Sequence, residues 1–130
     1  MMISHAAIWV SDLEEMRLFY ERFFGAKAGE KYENRNKGFT SYFLSFSSGA
    51  RLELMHKSGL SGQPGDSARI ESPGLSHLAF STGSEAEVDR LTGDFSERGV
   101  RILSRPRRTG DGYYESVIAD PEGNIIEITV

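Results

Sequence analysis

Apolar and polar residues alternate in four short segments of the chain. In residues 50–56, Leu52 and Leu54 alternate with Arg51, Glu53 and Met55; in 124–130, Ile126 and Ile128 alternate with Ile125, Glu127 and Thr129. Successive side chains of a strand point to opposite faces, so each segment predicts a strand with one packed face and one face carrying a glutamate. Residues 2–10 set Ala6, Ile8 and Val10 against His5, Ala7 and Trp9, and residues 74–82 set Leu78 and Phe80 against His77, Ala79 and Ser81. Further strands are expected near 28–33, 39–47, 100–105 and 113–119. Two segments change to the helical period: Met16, Phe19, Tyr20 and Phe23 form one buried stripe, and Val88, Leu91 and Phe95 another. Ser11 with Glu14, and Ser84 with Glu87, have capping-box spacing. Gly25 and Gly99 stand where left-handed helix stops are expected.

These elements occur twice. Glu53 and Glu127 are 74 residues apart (127 less 53), and the same offset aligns "GFTSYFLSFSSGARLELM" with "GYYESVIADPEGNIIEIT" without a gap. "SHAAI" and "SHLAF" align at an offset of 72 (77 less 5). Each copy therefore reads as strand, helix and three strands. The expected organisation is one domain over 1–130, with modules 1–56 and 73–130 joined by a Gly- and Ser-rich connector, 57–72. One helix covers one face of each module's sheet. The other face needs the second module, another chain or a ligand.

Composition narrows the partners. The chain has 130 residues, no cysteine and a net charge of −4 with signs mixed along its length. It lacks the basic face that nucleic acid requires, and it has no thiolate nucleophile or disulfide. No stretch is long and apolar enough to cross a membrane, and the N-terminal residues lack the basic and apolar regions of a signal peptide. A cytoplasmic enzyme or small-molecule binding protein is expected.

The two repeats deliver His5, Glu53, His77 and Glu127 to their uncovered faces. Neighbouring buried carboxylates are costly unless something neutralises them. A divalent cation does so: two carboxylates balance its charge and two imidazoles complete an N2O2 set, with positions left for water or substrate. That donor set suits Zn, Ni, Co, Mn or Fe.

The segments "ISHAAIWVSDLEEMRLFYERFFGA", "ARLELM", "LSHLAF" and "DPEGNIIEI" resemble the vicinal oxygen chelate superfamily. It includes glyoxalase I, extradiol dioxygenases, fosfomycin-resistance thiol transferases, methylmalonyl-CoA epimerase and bleomycin-resistance proteins. The resemblance implies an α+β fold of two βαβββ modules forming a U-shaped mixed-sheet cup, with His5, Glu53, His77 and Glu127 as metal ligands. Four ligands are most similar to glyoxalase I (lactoylglutathione lyase), with Zn or Ni as the expected ion and a homodimer as the expected assembly. The implied activity is a metal-dependent lyase or isomerase on a small vicinal-oxygen substrate, a hemithioacetal or hydroxy-carbonyl compound, including a thiol adduct. A proton would move through a metal-stabilised enediolate, with Glu127 as the catalytic base and Glu53 as its counterpart. Trp9 stands where glyoxalase I usually has an arginine, and "TGDGYYES" differs from the stretch expected there. The alternatives are a binding or resistance protein without catalysis, and a fosfomycin-type thiol transferase.

Around these ligands, Trp9, Arg51, Tyr113 and Tyr114 are the candidate substrate-binding residues, with Glu115 beside them. Arg51 is also an expected ion-pair partner for Glu53. His56 has the opposite parity to Glu53 and is expected to be a surface histidine. The segment "RPRRT", 105–109, reads as a solvated loop from which Arg107 or Arg108 could meet a substrate anion.

Overall fold

The computed structural model describes residues 1–60 and 73–130. The chain divides into two compact units, Met1–Pro64 and Gly65–Val130. The expected connector at 57–72 lies, from residue 61 onward, outside the described residues.

The first unit holds strand β1 (His5–Trp9), helix α1 (Leu13–Phe24), the short strands β2 (Lys27–Ala28) and β3 (Tyr32–Asn34), then β4 (Phe39–Ser45) and β5 (Arg51–Lys57). Its sheet runs β1-β5-β4-β2, with β3 also paired to β4. The strand expected at 28–33 is thus two pieces. β2 aligns with Leu44 and Ser45, and β3 with Phe39, Thr40 and Ser41. Gly29 sits between them, its N–H donating to the Phe43 carbonyl at 2.9 Å.

The second unit holds β6 (His77–Ser81), α2 (Glu85–Glu97), β7 (Arg101–Arg108), β8 (Tyr114–Ala119) and β9 (Ile125–Thr129), with sheet order β6-β9-β8-β7. In both units the first strand runs parallel to the last and the remaining pairings are antiparallel. The architecture is α+β, two helices on two mixed sheets. Among the described residues no helix is long and apolar enough to cross a membrane.

The expected apolar faces are the cores. Leu44, Leu52, Leu54, Met16 and Tyr20 are buried in the first unit, and Ile118, Ile126, Ile128, Val88 and Phe95 in the second. α1 packs on β4 and β5, and α2 on β7, β8 and β9. Thr92, on the buried stripe of α2, meets its hydrogen-bonding needs internally, through the Val88 carbonyl and the Ser116 hydroxyl, both at 2.6 Å.

The helix ends differ in detail from the expectation. The cap of α1 is Asp12, not Ser11: its carboxylate accepts the N–H groups of Glu14 and Glu15. An Asp one residue nearer the helix satisfies two donors at once and adds negative charge at the positive end. Ser84 does cap α2, accepting the Glu87 N–H at 3.3 Å. Gly25, at φ 62°, closes α1 in the left-handed region.

The segment read as a loop at 105–109 is mostly strand: β7 continues to Arg108. It is the outer strand of its sheet and shifts register on either side of Ser104. An edge position tolerates Pro106, which has no N–H to donate.

Candidate functional site

Each unit places one histidine beside one glutamate. In the first, Ala7 aligns with Glu53 across the parallel pair β1–β5, and His5 with Arg51. His5 Nε2 lies 3.9 Å from Glu53 Oε2. In the second, Ala79 aligns with Glu127 and His77 with Ile125. His77 Nε2 lies 3.2 Å from Glu127 Oε2. The same geometry arises twice for one reason. The histidine stands two residues before an alanine aligned with the glutamate, and so small a side chain leaves room between the imidazole and the carboxylate.

Both pairs lie on the face that the helix does not cover. The imidazoles are about as exposed as each other, at 39% and 40%, and the carboxylates are less so, at 15% and 22%. Ser4 Oγ lies 3.3 Å from His5 Nδ1, and the His5 ring meets Phe43 edge-on at 5.2 Å. Among the described residues, no three His, Asp or Glu side chains form a group able to hold an ion. The structure therefore shows His5 with Glu53 and His77 with Glu127 as two pairs.

The surroundings of the two pairs differ. Beside Glu53, the Arg51 guanidinium stacks 4.4 Å from the centre of the Phe43 ring. The expected Arg51–Glu53 ion pair does not form; Glu53 faces His5 instead. Trp9 meets Phe39 edge-on at 6.1 Å, and Phe39 meets Tyr32 at 6.0 Å. Phe43, Phe39 and Tyr32 were not legible as site residues, because their place depends on the β4–β5 and β3–β4 registers, which bring Phe43 opposite Glu53 and Tyr32 opposite Ser41.

Beside Glu127, Glu115 is buried on the same face, and Arg107 Nη1 lies 3.7 Å from its Oε1. Burial pushes the Glu115 carboxyl above its ordinary range and the Glu127 charge adds to this, while Arg107 acts in the opposite sense. Arg107 thus neutralises a neighbouring acid. Arg108 lies elsewhere: it pairs with Glu85 of α2 and sits over the Tyr114 ring.

Tyr114 is on the helix side of β8. Its hydroxyl donates to Asp89 of α2 at 2.7 Å, which raises the phenol pKa. Tyr113 is exposed at the turn, where its N–H donates to Thr109 Oγ1. His56 is on the helix side as expected, but it is half-buried, with Nδ1 3.0 Å from the Val10 carbonyl. The "DPEGN" segment acts through the backbone. Asp120 accepts the N–H groups of Glu122 and Asn124 and the Asn124 side-chain amide, fixing the turn that feeds β9 and Glu127.

The sequence profile of the Glyoxalase/Bleomycin resistance protein/Dioxygenase superfamily matches residues 2–128. The chain belongs to this superfamily. Among curated relatives of the superfamily member, a virulence protein of Salmonella typhimurium is 31% identical, over 98% of this chain and 82% of the relative. The mitochondrial methylmalonyl-CoA epimerase of Bos taurus is 30% identical, over 83% of this chain and 60% of the relative. Among solved structures, a glyoxylase/bleomycin resistance protein/dioxygenase domain from Frankia aligns with a TM-score of 0.82 at 20% identity, covering 98% of this chain and 95% of that one. Glyoxalase I from Zea mays aligns at 0.79 and 23% identity, covering 98% of this chain and 44% of that one. At these identities the solved structures establish the shared fold.

Proposed function

We propose that this superfamily member is a metal-dependent lyase or isomerase of the glyoxalase I kind, acting on a small substrate with two neighbouring oxygens. The observation that carries the proposal is the His–Glu pair made twice, on the helix-free face of each unit, with the same strand register. A partly exposed ion pair contributes at most about 1 kcal/mol to stability. Stability alone is therefore a poor reason to keep this pair in both repeats.

The donors fit a divalent ion. Glu53 and Glu127 accept no hydrogen bond from other described groups, so their oxygens remain available beside a neutral-capable imidazole. Each pair offers one imidazole and one carboxylate; His5, Glu53, His77 and Glu127 would be the residues that hold Zn or Ni, and Co, Mn and Fe accept the same donors. When bound, the ion would supply positive charge where an oxyanion develops.

The chain's own groups do the rest. Glu127 takes the proton from one carbon and returns it to the next. His77, facing Glu127, holds that carboxylate in place. Arg107, paired with Glu115, offsets the negative charge of that neighbouring carboxyl beside Glu127. Glu53 has the same relation to His5 and is the second candidate base. The named relatives of the superfamily include an epimerase, which supports an enzyme that acts on a carbon acid.

A second reading, a binding protein without catalysis, draws support from exposed Trp9 and Tyr32 on either side of half-buried Phe39. Elemental analysis of protein purified without added metal separates the two. It is followed by assays with methylglyoxal and several thiols, and with methylmalonyl-CoA. Bound metal in stoichiometric amount with turnover that chelator removes and Zn or Ni restores supports the enzyme. Metal-free protein with no turnover after reloading refutes it.

A further inference from the structure

We propose that the open face of the first unit binds a small organic anion with an aromatic or bulky apolar end. Such a ligand would lie along β1, its anionic group on Arg51 and its apolar end on Trp9. The proposal extends the functional reading above by naming the substrate class, and it rests on that reading only for the position of the reacting centre.

Arg51 is the cationic end. It makes no ion pair among the described residues, and its guanidinium carbon lies over the Phe43 ring, 4.4 Å from the centre. The ring contact leaves the charge without a carboxylate partner, and a guanidinium can receive a carboxylate or phosphate through two parallel hydrogen bonds. Trp9 is the apolar end. It is 48% exposed, and with Phe39 and the 54% exposed Tyr32 it forms a continuous aromatic platform. Met55 is aligned with Trp9 on the neighbouring strand.

His5 is aligned with Arg51, and Glu53 is aligned with Ala7 between Arg51 and Trp9. From His5 to Trp9 the strand advances about 13 Å at roughly 3.3 Å per residue. The His–Glu pair thus stands between the cationic end and the apolar end of this face.

The second unit shows that these surroundings are not a by-product of the fold. The repeat keeps His and Glu but replaces Arg51 by Ile125, Phe43 by Val117, Met55 by Thr129 and Trp9 by Ser81. The cation and the aromatic platform belong to the first repeat.

Trp9 is the chain's only tryptophan, so its emission reports occupancy of the patch directly. The probes are 4-phenylbutanoate, butanoate and 4-phenylbutan-1-ol, titrated into chelator-treated and nickel-loaded protein at several protein concentrations. The expected result is a saturable change with 4-phenylbutanoate, with binding at least tenfold weaker for the acid lacking the ring and for the alcohol lacking the charge. Arg51→Met should abolish the preference for the acid over the alcohol and leave alcohol binding unchanged.

The proposal is overturned by equal binding of acid and alcohol, or by a preference that survives in Arg51→Met. A preference seen only with nickel, or emission that follows protein concentration alone, as when a second copy covers the face, also overturns it. If the variant fails to fold, the comparison of the three probes on the unmodified chain decides. Preference in the chelator-treated protein without any metal-dependent turnover supports this binding site and removes only the catalytic reading.

Discussion

Adjacent residues of β9 are expected to respond to mutation in opposite ways. Ile126 is fully buried against the helix-covered side and Glu127 is on the other face. Ile126→Ala removes three buried carbons. At about 0.8 kcal/mol each the transfer loss is about 2.4 kcal/mol, and the residual cavity raises the total to roughly 3–4 kcal/mol. For a chain of this size that corresponds to a fall of about 10 °C or more in melting temperature. Glu127→Gln keeps the shape and changes stability by less than about 0.5 kcal/mol in the metal-free protein. It removes the proposed proton acceptor, so turnover should drop by roughly 10²–10⁴-fold. Urea and thermal melts of both variants, with turnover of the folded fraction, make the comparison. Were Ile126→Ala neutral, or Glu127→Gln as destabilising as Ile126→Ala, the assignment of the two faces would be wrong. Unchanged turnover in a folded, metal-loaded Glu127→Gln protein would remove Glu127 from the chemistry.

Two further outcomes follow from the first unit. Asp12→Ala should cost about 1 kcal/mol in urea unfolding through the lost helix cap, more than Ser11→Ala; the reverse order would restore Ser11 as the cap. The Lys31 ammonium, with Arg17 and then Tyr42, holds the Glu14 carboxyl down to about 2 from an ordinary 4.5. Because the folded value is depressed, the stabilisation is fully present above pH 4.5 and is lost as pH falls towards 2. Glu14 is nearly half exposed, so solvent screening keeps the effect below about 1 kcal/mol. Glu14→Gln should therefore be less stable than the parent at pH 7 and equal to it near pH 2, and a gap of the same size at both pH values would contradict the assignment.

Much of the candidate site was legible in the chain because strand parity is a local property. Glu53 and Glu127 alternate with leucines and isoleucines, and His5 and His77 precede an alanine by two residues, so their faces follow without knowledge of the fold. The same rule separated His56 from Glu53. Tyr114 was harder. It borders a turn, where the phase of alternation is set only once β8 pairs with β7 and β9, and pairing turns it towards Asp89.

The sequence by itself determined the repeated strand–helix–strands order, the two helices, most of their buried stripes and the faces on which the four His and Glu side chains stand. Each depends on spacing along a few neighbouring residues, which the backbone converts directly into direction. The split of the strand expected at 28–33, and Thr92 rather than Leu91 on the buried stripe of α2, were not in it. Tertiary structure decided which side chains from different strands meet. It set Phe43 beneath Arg51, Phe39 between Trp9 and Tyr32, Arg107 against Glu115, and β7 as an edge that runs through Pro106. Those contacts depend on strand register and on which strand lies at the edge. Both are settled only when separate segments pair into a sheet, so neither can be read from one segment alone.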